Sequence, residues 1–481
     1  MKLKSRFKKL VSLASALGAL SIPLKGIAAQ TNSTVLQNIQ AEIKALKAEN
    51  QQLKKEIQEV KNSSVKPATG FYAAPYFGAK GVKVDFYGYV KIDGIWQDSA
   101  GVGTTYLLFA LPKKVGEHDS YSTITFRQTR FGFLLKKPYK SFTLKGKIEM
   151  DFYTQSNDVE YRPWNPQHAP LRARIAYLEV DKGAWQFRAG QDWMIISQLY
   201  PHTSNFPAGT FMGNLGYRTT LIELARMVKV NDSKLKLQVA LERPYNFGKL
   251  SENLVIFDND PNNDYGMPGI EARIGYYTKL FNKKAMFALY GHYSGLEYKQ
   301  NYKTLSGSLK TTSFSTGLEV TVPIPILTQF SPRISGELWY GQSLGGYYCG
   351  GVDQSTRFTI RLGNGTIIHT TNLSTFNKNT DTILDVQPIH ATGGWVELGF
   401  KPVKKLNTWI GWGMDNPSDK DLEGVKGARL SQQMFYVHNL YRFVPELGVG
   451  LEYMRVKTHY RASDGGDGTI NRFMLSFYYF F

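Results

Sequence analysis

Charged side chains in this sequence recur at alternate positions of segments whose other positions are apolar. Successive side chains of a β-strand point to opposite faces, so each segment would place its charges on one face. The basic members of the set are Arg130, Lys145, Lys147, Arg172, Arg174, Arg188, Arg273 and Arg333. The acidic members include Asp85, Glu149, Asp151, Asp192, Glu271 and Glu337. If these faces line a pore, arginine and lysine there favour anions, because guanidinium stays charged and binds carboxylates with two hydrogen bonds.

The role of any single arginine in this set stays open between two alternatives. It either contacts the permeating solute or forms a structural ion pair with a neighbouring carboxylate. For the set as a whole, the sequence predicts a pore with a preference for small anionic solutes. Both signs of charge are present, which is typical of pores that set up a transverse field at the narrowest section.

Spacings that would indicate metal or cofactor chemistry are missing from the sequence. The 8 histidines are scattered, with no HExxH spacing, and the single cysteine, Cys349, excludes a CxxC pair and an internal disulfide. We therefore predict no enzyme, no cofactor and no metal. An enzymatic function stays open as an alternative, because some outer-membrane barrels are lipases or proteases, but no residue here supports it.

Sixteen segments carry the alternating pattern, and most are about ten residues long, as a tilted membrane strand requires. Tight turns such as Asn231-Asp232 alternate between them with long polar connections such as 244–268 and 342–388. The segments are 82–97, 125–136, 142–153, 171–180, 185–192, 218–230, 234–242, 269–278, 285–293, 311–322, 331–341, 392–401, 406–414, 430–442, 447–458 and 469–481. We predict an all-β fold, a transmembrane antiparallel β-barrel of about 16 strands over residues 82–481. A soluble sandwich rarely needs so many strands with charged inner faces.

The last segment predicts where the barrel closes. Its odd positions are Phe473, Leu475, Phe477, Tyr479 and Phe481, an apolar face rich in aromatic residues. A soluble core could bury such a strand, but a bacterial outer-membrane barrel would place this face against lipid. The even face, Met474, Ser476, Tyr478 and Phe480, is then expected to point inward.

The segment from Trp193 to Arg218 is long, has no strand periodicity and is rich in aromatic residues and prolines. Two alternatives fit it: a loop folded into the lumen as a constriction, or a plain surface loop.

The first 29 residues have the layout of a secretory signal peptide. Basic residues from Lys2 to Lys9 precede the mostly apolar stretch from Leu10 to Leu24, and small residues follow at Ala28 and Ala29. Removing residues 1–29 takes away six basic residues and lowers the formal net charge from +19 to +13. We predict no nucleic-acid partner, because the chain is secreted and has no nucleic-acid motif. We therefore interpret the excess of basic residues as favouring an anionic solute.

Residues 30–62 predict a periplasmic coiled coil, and residues 63–81 a linker. Apolar positions recur with alternating steps of three and four, and Asn50 is the one polar residue among them. The heptad core is Leu36, Ile39, Ile43, Leu46, Asn50, Leu53, Ile57 and Val60. Glutamates at heptad position g precede lysines at position e by five residues. In a parallel homo-oligomer, this spacing places each glutamate opposite a lysine of the neighbouring chain. The core residues favour a dimer, whereas barrel porins usually form trimers, and the heptads alone do not decide.

Several local phrases make the chain similar to the DcaP-like outer-membrane porins. They are Asp85-Phe86-Tyr87-Gly88-Tyr89-Val90-Lys91, Gly190-Gln191-Asp192-Trp193, Pro268-Gly269-Ile270-Glu271-Ala272-Arg273 and the aromatic C-terminus. The resemblance implies a homotrimer with a periplasmic coiled coil, in contact with outer-membrane lipid, that takes up small anionic solutes such as dicarboxylates. The alternative function is a structural protein that tethers the outer membrane to peptidoglycan through its coiled coil. About 27 helical residues would span only about 40 Å.

Overall fold

The computed structural model describes residues 81–481 apart from 104, 154–168, 244–266, 302–305, 372, 374–375 and 378–379. Before residue 81 it describes only residues 44–45, 48 and 51–52, which are helical. The chain divides into two units, Met1–Lys80 and Gly81–Phe481. The predicted signal peptide, all eight heptad core positions and the linker before residue 81 lie outside the described residues. No helix among the described residues is long and apolar enough to cross a membrane.

Alternation of apolar and polar residues produces a chain built almost entirely of strands. A short helix, α1 (Lys113–Gly116), and 3-10 turns at Thr328–Phe330, Gly346–Tyr348, Gly351–Asp353 and Ala462–Asp464 interrupt them. In chain order the strands are β1 (Lys83–Gln97), β2 (Gly101–Val102), β3 (Phe109–Ala110), β4 (Tyr121–Thr125), β5 (Arg130–Pro138), β6 (Thr143–Asp151), β7 (Arg172–Lys182), β8 (Trp185–Trp193), β9 (Arg218–Val230), β10 (Ser233–Glu242), β11 (Gly269–Leu280), β12 (Lys283–Asn301), β13 (Ser306–Pro323), β14 (Arg333–Gln342), β15 (Thr356–Arg361), β16 (Ile367–Thr370), β17 (Thr382–Pro388), β18 (His390–Val403), β19 (Leu406–Pro417), β20 (Ser431–Val444), β21 (Leu447–His459) and β22 (Gly468–Phe480).

The main sheet closes on itself as an antiparallel barrel. Each strand from β5 to β14 pairs with the next, β14 pairs with β18, and the order continues to β22, which pairs with β1. The first half of β1 pairs with β5 and its second half with β4, so β4 and β5 together form one interrupted strand. Counted this way, the barrel has the sixteen strands that the sequence predicts. Thr129 bridges the interruption, because its Oγ1 accepts a hydrogen bond from Lys91 N (3.0 Å) and donates one to Lys91 O (3.1 Å).

The outer face of the barrel is an apolar belt. On β22 the odd side chains from Phe473 to Phe481 are exposed, whereas Met474, Ser476 and Tyr478 are buried, which confirms the predicted inward face. On β1, Val84, Phe86 and Val90 are likewise exposed. A continuous exposed apolar surface of this kind is stable against lipid rather than water.

The two ends of the barrel differ in the length of their connections. Tight turns join β7 to β8 and β9 to β10, where Gly183 and Asn231 adopt positive φ angles of 59° and 51°. The opposite end carries the long connections, including a separate sheet of β15, β16 and β17. A hydrophobic cluster that includes Phe358, Ile360 and Ile383 stabilises this small sheet, which the sequence interpretation took for a loop. In bacterial outer-membrane barrels, long connections of this kind are extracellular and short turns are periplasmic.

Candidate pore and its inner loop

The connection between β8 and β9, residues 194–217, lies inside the barrel, and we call it the inner loop. Ile196, Met212 and Leu215 are fully buried. Gly213 passes so close to the barrel wall that a Cβ atom there would lie 2.1 Å from Gly394 O, and its φ is 109°. Trp339 Nε1 donates a hydrogen bond to Gly213 O (2.8 Å). Of the two alternatives for this segment, the structure shows the loop folded inward.

Glutamates from five different strands hold the inner loop by its backbone. All five carboxylates are buried and accept hydrogen bonds from peptide N–H groups, which would otherwise be left unsatisfied. The bonds are Ile196 N to Glu271 (3.0 Å), Gln198 N and Leu199 N to Glu319 (3.0 and 2.8 Å), His202 N to Glu397 (2.7 Å), Asn205 N to Glu452 (2.9 Å) and Leu215 N to Glu337 (3.1 Å). Ser204 N also donates to Glu452. Glu271 and Glu337, which the sequence places on lumen-facing positions, therefore hold this loop.

Two other connections pack against the inner loop. Phe211 N donates to Cys349 O (3.1 Å), and Gly216 N donates to Tyr348 O (2.7 Å). The side chains of Phe109, Phe211, Cys349 and Val352 form an apolar cluster at the meeting point. Burial raises the pKa of the Cys349 thiol, so this cysteine stays protonated and packs as a small apolar residue.

Six of the predicted basic residues come together on one wall, formed by β5, β6, β7 and β8, which we call the basic wall. They are Arg130, Lys145, Lys147, Arg172, Arg174 and Arg188. Arg172 binds Asp151 with two hydrogen bonds of 2.9 and 2.8 Å, and Arg174 bonds to both Glu149 (2.9 Å) and Asp151 (2.7 Å). Arg188 bonds to Glu179 and Asp192, and Lys145 to Glu179, each at 2.7 Å. The structural ion pair, one of the two alternatives for a single arginine, is thus present for each of these residues.

The charges of the basic wall are layered, with the cations in front of the carboxylates. The side chains of Arg130 and Lys147 are 24% and 25% exposed, whereas those of their partner Glu149 and of Asp151 are 7% and 1% exposed. Arg174 lies in the inner layer and is fully buried. Asp181, the second partner of Lys145, is an exception with 32% of its side chain exposed, and the other exposed charges of this wall are mainly positive.

The remaining two predicted basic residues lie elsewhere. Arg273 on β11 is buried and bonds to Glu319 at 2.6 Å, behind the inner loop rather than on the basic wall. Arg333 is the first residue of β14, at the end of the barrel with the short turns, and is exposed. Neither residue joins the cluster formed by the other six.

Arg218 is a further cation that the sequence analysis missed. It follows the inner loop directly, and its guanidinium lies 4.4 Å from the ring centre of Tyr217 and 5.5 Å from that of Trp193. Burial acts to raise the pKa of Tyr217, but the charges of Arg218, Arg172 and Arg174 lower it below its usual value. Three guanidinium groups therefore act on one point at the edge of the basic wall. The sequence analysis missed Arg218 because it lies at the end of a strand, where the alternation of polar and apolar residues does not show which way a side chain points.

A GxSxG pattern lies at the end of β14, in addition to the motifs considered in the sequence analysis. Residues 341–345 read Gly-Gln-Ser-Leu-Gly, the spacing of the nucleophile turn in α/β-hydrolases. Ser343 has a positive φ of 53°, but its Oγ is buried and has no hydrogen-bond partner among the residues that the structure describes. A serine nucleophile needs a base within hydrogen-bond reach. No such base contacts Ser343 Oγ among the residues that the structure describes.

Closed antiparallel barrels of sixteen strands with an outward apolar belt are typical of outer-membrane channels. This barrel is similar to the outer membrane channel DcaP of Acinetobacter baumannii, with a TM-score of 0.59 and 16% identity over 83% of this chain and 98% of that one. It is also similar to an anion-selective porin from Comamonas acidovorans, with a TM-score of 0.51 and 8% identity over 83% of this chain and all of that one. No family model and no curated protein matches the sequence. The resemblance to DcaP-like porins that the sequence suggested thus holds for the fold.

Proposed function

We propose that the protein is a passive outer-membrane porin with a preference for small anionic solutes. The layered basic wall carries this proposal, because its outer cations face the interior while Glu149, Asp151 and Glu179 are buried behind them. Charges of one sign along a pore raise the local concentration of the opposite ion. Dicarboxylates fit this chemistry, since a guanidinium binds a carboxylate in two-pronged fashion.

Single-channel recording in planar lipid bilayers tests the proposal directly. Under a KCl gradient, the reversal potential of the wild-type protein is expected to have the sign of a chloride-selective channel. Selectivity should weaken at high salt, since the Debye length falls from about 10 Å at 0.1 M to about 3 Å at 1 M. Absence of conductance, or a reversal potential of the opposite sign, would refute the proposal.

We also propose that residues 30–62 assemble the protein into a parallel homo-oligomer, and the porin resemblance favours a trimer. Deleting residues 31–62 is expected to reduce the oligomer to monomers while leaving the barrel folded, because Gly81–Phe481 forms a compact unit by itself. Native mass spectrometry measures the oligomer, and heat-modifiable migration in gel electrophoresis measures the barrel. A variant that keeps its oligomeric state would show that the barrels associate without the heptads. Loss of heat-modifiable migration would show that the barrel depends on them.

A further inference from the structure

The end of the barrel that carries the short turns is strongly basic. Together its seven connections contain fourteen lysines and arginines but only three acidic residues, and none of these basic residues belongs to the basic wall. By contrast, the connection 418–430 at the opposite end contains three residues of each sign. The seven connections are 136–142, 181–184, 229–234, 279–284, 323–333, 401–405 and 442–446.

The turn between β11 and β12, residues 279–284, concentrates this charge, and we call it the basic turn. Lys279 lies directly opposite Lys284 in the strand pairing, and Lys283 lies opposite Leu280. Like charges directly opposite each other destabilise a strand pair. Lys283 Nζ is buried and has no hydrogen-bond partner in the part of the chain that the structure describes. An anion from outside the chain would offset both costs.

Neighbouring carboxylates among the described residues do not balance the basic turn. Asp232 lies in the next turn between Lys229 and Lys234, which are paired with each other. On the other side, the connection to β14 contains Arg333 and no acidic residue. Glu319, deeper in the barrel, is already bonded to a buried arginine. Across three neighbouring turns, six basic residues therefore accompany one acidic residue.

Phe281, at the tip of the basic turn, has a backbone conformation that aromatic residues rarely adopt. Phe281 and Asn282 are the two central residues of the turn, and both have positive φ angles, of 50° and 60°. Two-residue turns of this kind favour Asn and Gly, and a bulky residue with positive φ is strained. Packing within the chain does not compensate the strain, because Phe281 is 64% exposed. An apolar partner outside the chain would supply the missing contact.

Exposed apolar residues accompany cations in other short turns as well. Tyr139 is exposed beside Lys137 in the turn between β5 and β6. Val403 is exposed beside Lys404 in the turn between β18 and β19. Lysines beside exposed apolar or aromatic side chains are typical of segments that lie in a membrane interface. A hydrated cell-wall polymer would pair with the lysines but would leave the apolar side chains in water. The turns therefore match the headgroup region of a lipid leaflet, which for short turns is the periplasmic one.

We propose that the basic turn binds the phosphate of an anionic phospholipid of the phosphatidylglycerol class in the periplasmic leaflet, with Phe281 inserted beside the glycerol region of that lipid. The inference goes beyond the proposed pore function, and it rests on the outer-membrane location and not on anion permeation. Lysine binds phosphate as a point charge, and clusters of lysines beside a membrane attract anionic lipids. β11 and β12 are the eighth and ninth of the sixteen barrel strands. An oligomer that packs through the side where β22 pairs with β1 would therefore leave this turn facing lipid.

Native mass spectrometry of the full-length protein in detergent tests the proposal. After delipidation, the protein is titrated with phosphatidylglycerol, with phosphatidylethanolamine of the same acyl chains and with soluble peptidoglycan fragments. Phosphatidylglycerol is expected to bind at least about tenfold more tightly than phosphatidylethanolamine, given the strength of charge-assisted hydrogen bonds. Equal binding of the two phospholipids would overturn the proposal, and so would binding of peptidoglycan fragments in place of phospholipid. Channel recording on the same samples reports separately on the pore.

A triple variant of the basic turn, K279Q/K283Q/K284Q, assigns the lipid to this site. It is expected to lose one tightly bound phosphatidylglycerol per protomer, while its binding of phosphatidylethanolamine stays unchanged. Heat-modifiable migration verifies that the barrel is folded. The matched control removes the same charge from exposed positions at the opposite end, by the substitutions Lys114→Gln, Lys420→Gln and Lys426→Gln. If both triple variants lose phosphatidylglycerol equally, overall charge attracts the lipid and the proposal is wrong.

Phe281→Asn separates lipid binding from a structural role of this residue. Asparagine suits a positive φ, so the variant should unfold in detergent at the temperature of the wild type or a higher one. Loss of the aromatic ring is expected to weaken phosphatidylglycerol binding by about fivefold or more, because the apolar contact with the lipid is removed. A lower unfolding temperature with unchanged lipid binding would show that Phe281 serves the fold alone, and would contradict the proposal.

Discussion

Replacing Glu397 and Glu452 together with alanine is expected to raise the conductance of the channel. These two carboxylates accept hydrogen bonds from the backbone N–H groups of His202, Ser204 and Asn205, in the middle of the inner loop. Each donor left without a partner costs about 1–3 kcal/mol, and about 1.4 kcal/mol changes a population tenfold. The middle of the loop should therefore leave the wall for part of the time, and single-channel recording should show larger and noisier openings.

The matched control is Glu446→Ala, which removes an exposed carboxylate in the turn between β20 and β21. The control should conduct as the wild type does, and both proteins should show heat-modifiable migration. Unchanged conductance in the double variant, with the barrel folded, would mean that the inner loop does not control the width of the pore.

The sixteen barrel strands could be predicted from the sequence because apolar and polar residues alternate locally along each membrane strand. Lipid requires an apolar residue at every second position, so each strand carries the signal independently of its partners. The signal fails where the backbone is irregular. In the pairing of β6 with β7, the register shifts between Glu149 and Met150. As a result, Arg174 and Ile175 are both buried although they follow each other in the chain. A strict period of two cannot represent this bulge.

The arrangement inside the barrel was harder to predict, because its contacts join distant parts of the chain. Asn205 and Glu452 are separated by 247 residues, and His202 and Glu397 by 195. Periodicity shows that a glutamate points inward but not which backbone group it meets. For the same reason, the sequence analysis placed Glu271 and Glu337 on the pore wall and did not predict that their side chains hold the inner loop.

The basic residues show the opposite case, in which proximity on adjacent strands made the cluster predictable. Arg130, Lys147 and Arg174 lie on three neighbouring strands, so their common inward face brings them together. Exposure, however, depends on how the side chains stack in depth, and a linear pattern does not contain that information. Arg174 and Lys147 look equivalent in the sequence, yet only Lys147 reaches the interior surface.

Replacing Arg130 and Lys147 together with glutamate is expected to shift the channel from anion preference towards cation preference. Both side chains belong to the exposed layer of the basic wall, and the substitutions change the local charge by four units. They remove two pairs of 3.7 Å to Glu149, but Glu149 keeps its shorter, buried pair with Arg174 at 2.9 Å. Arg174 is unsuitable for this test, because its loss would leave Glu149 and Asp151 without a buried partner, at a cost of about 3–5 kcal/mol. Reversal potentials under a KCl gradient measure the selectivity.

The control for this reversal is the double variant Lys137→Glu with Arg226→Glu, which changes the total charge equally on the outward faces of β5 and β9. Since these residues face away from the lumen, the control should keep the reversal potential of the wild type. If both double variants shift it equally, selectivity follows the overall charge of the protein rather than the basic wall. If only the Arg130 and Lys147 variant shifts it, and the shift shrinks at high salt, the conduction path runs along the basic wall, because screening weakens interactions across water.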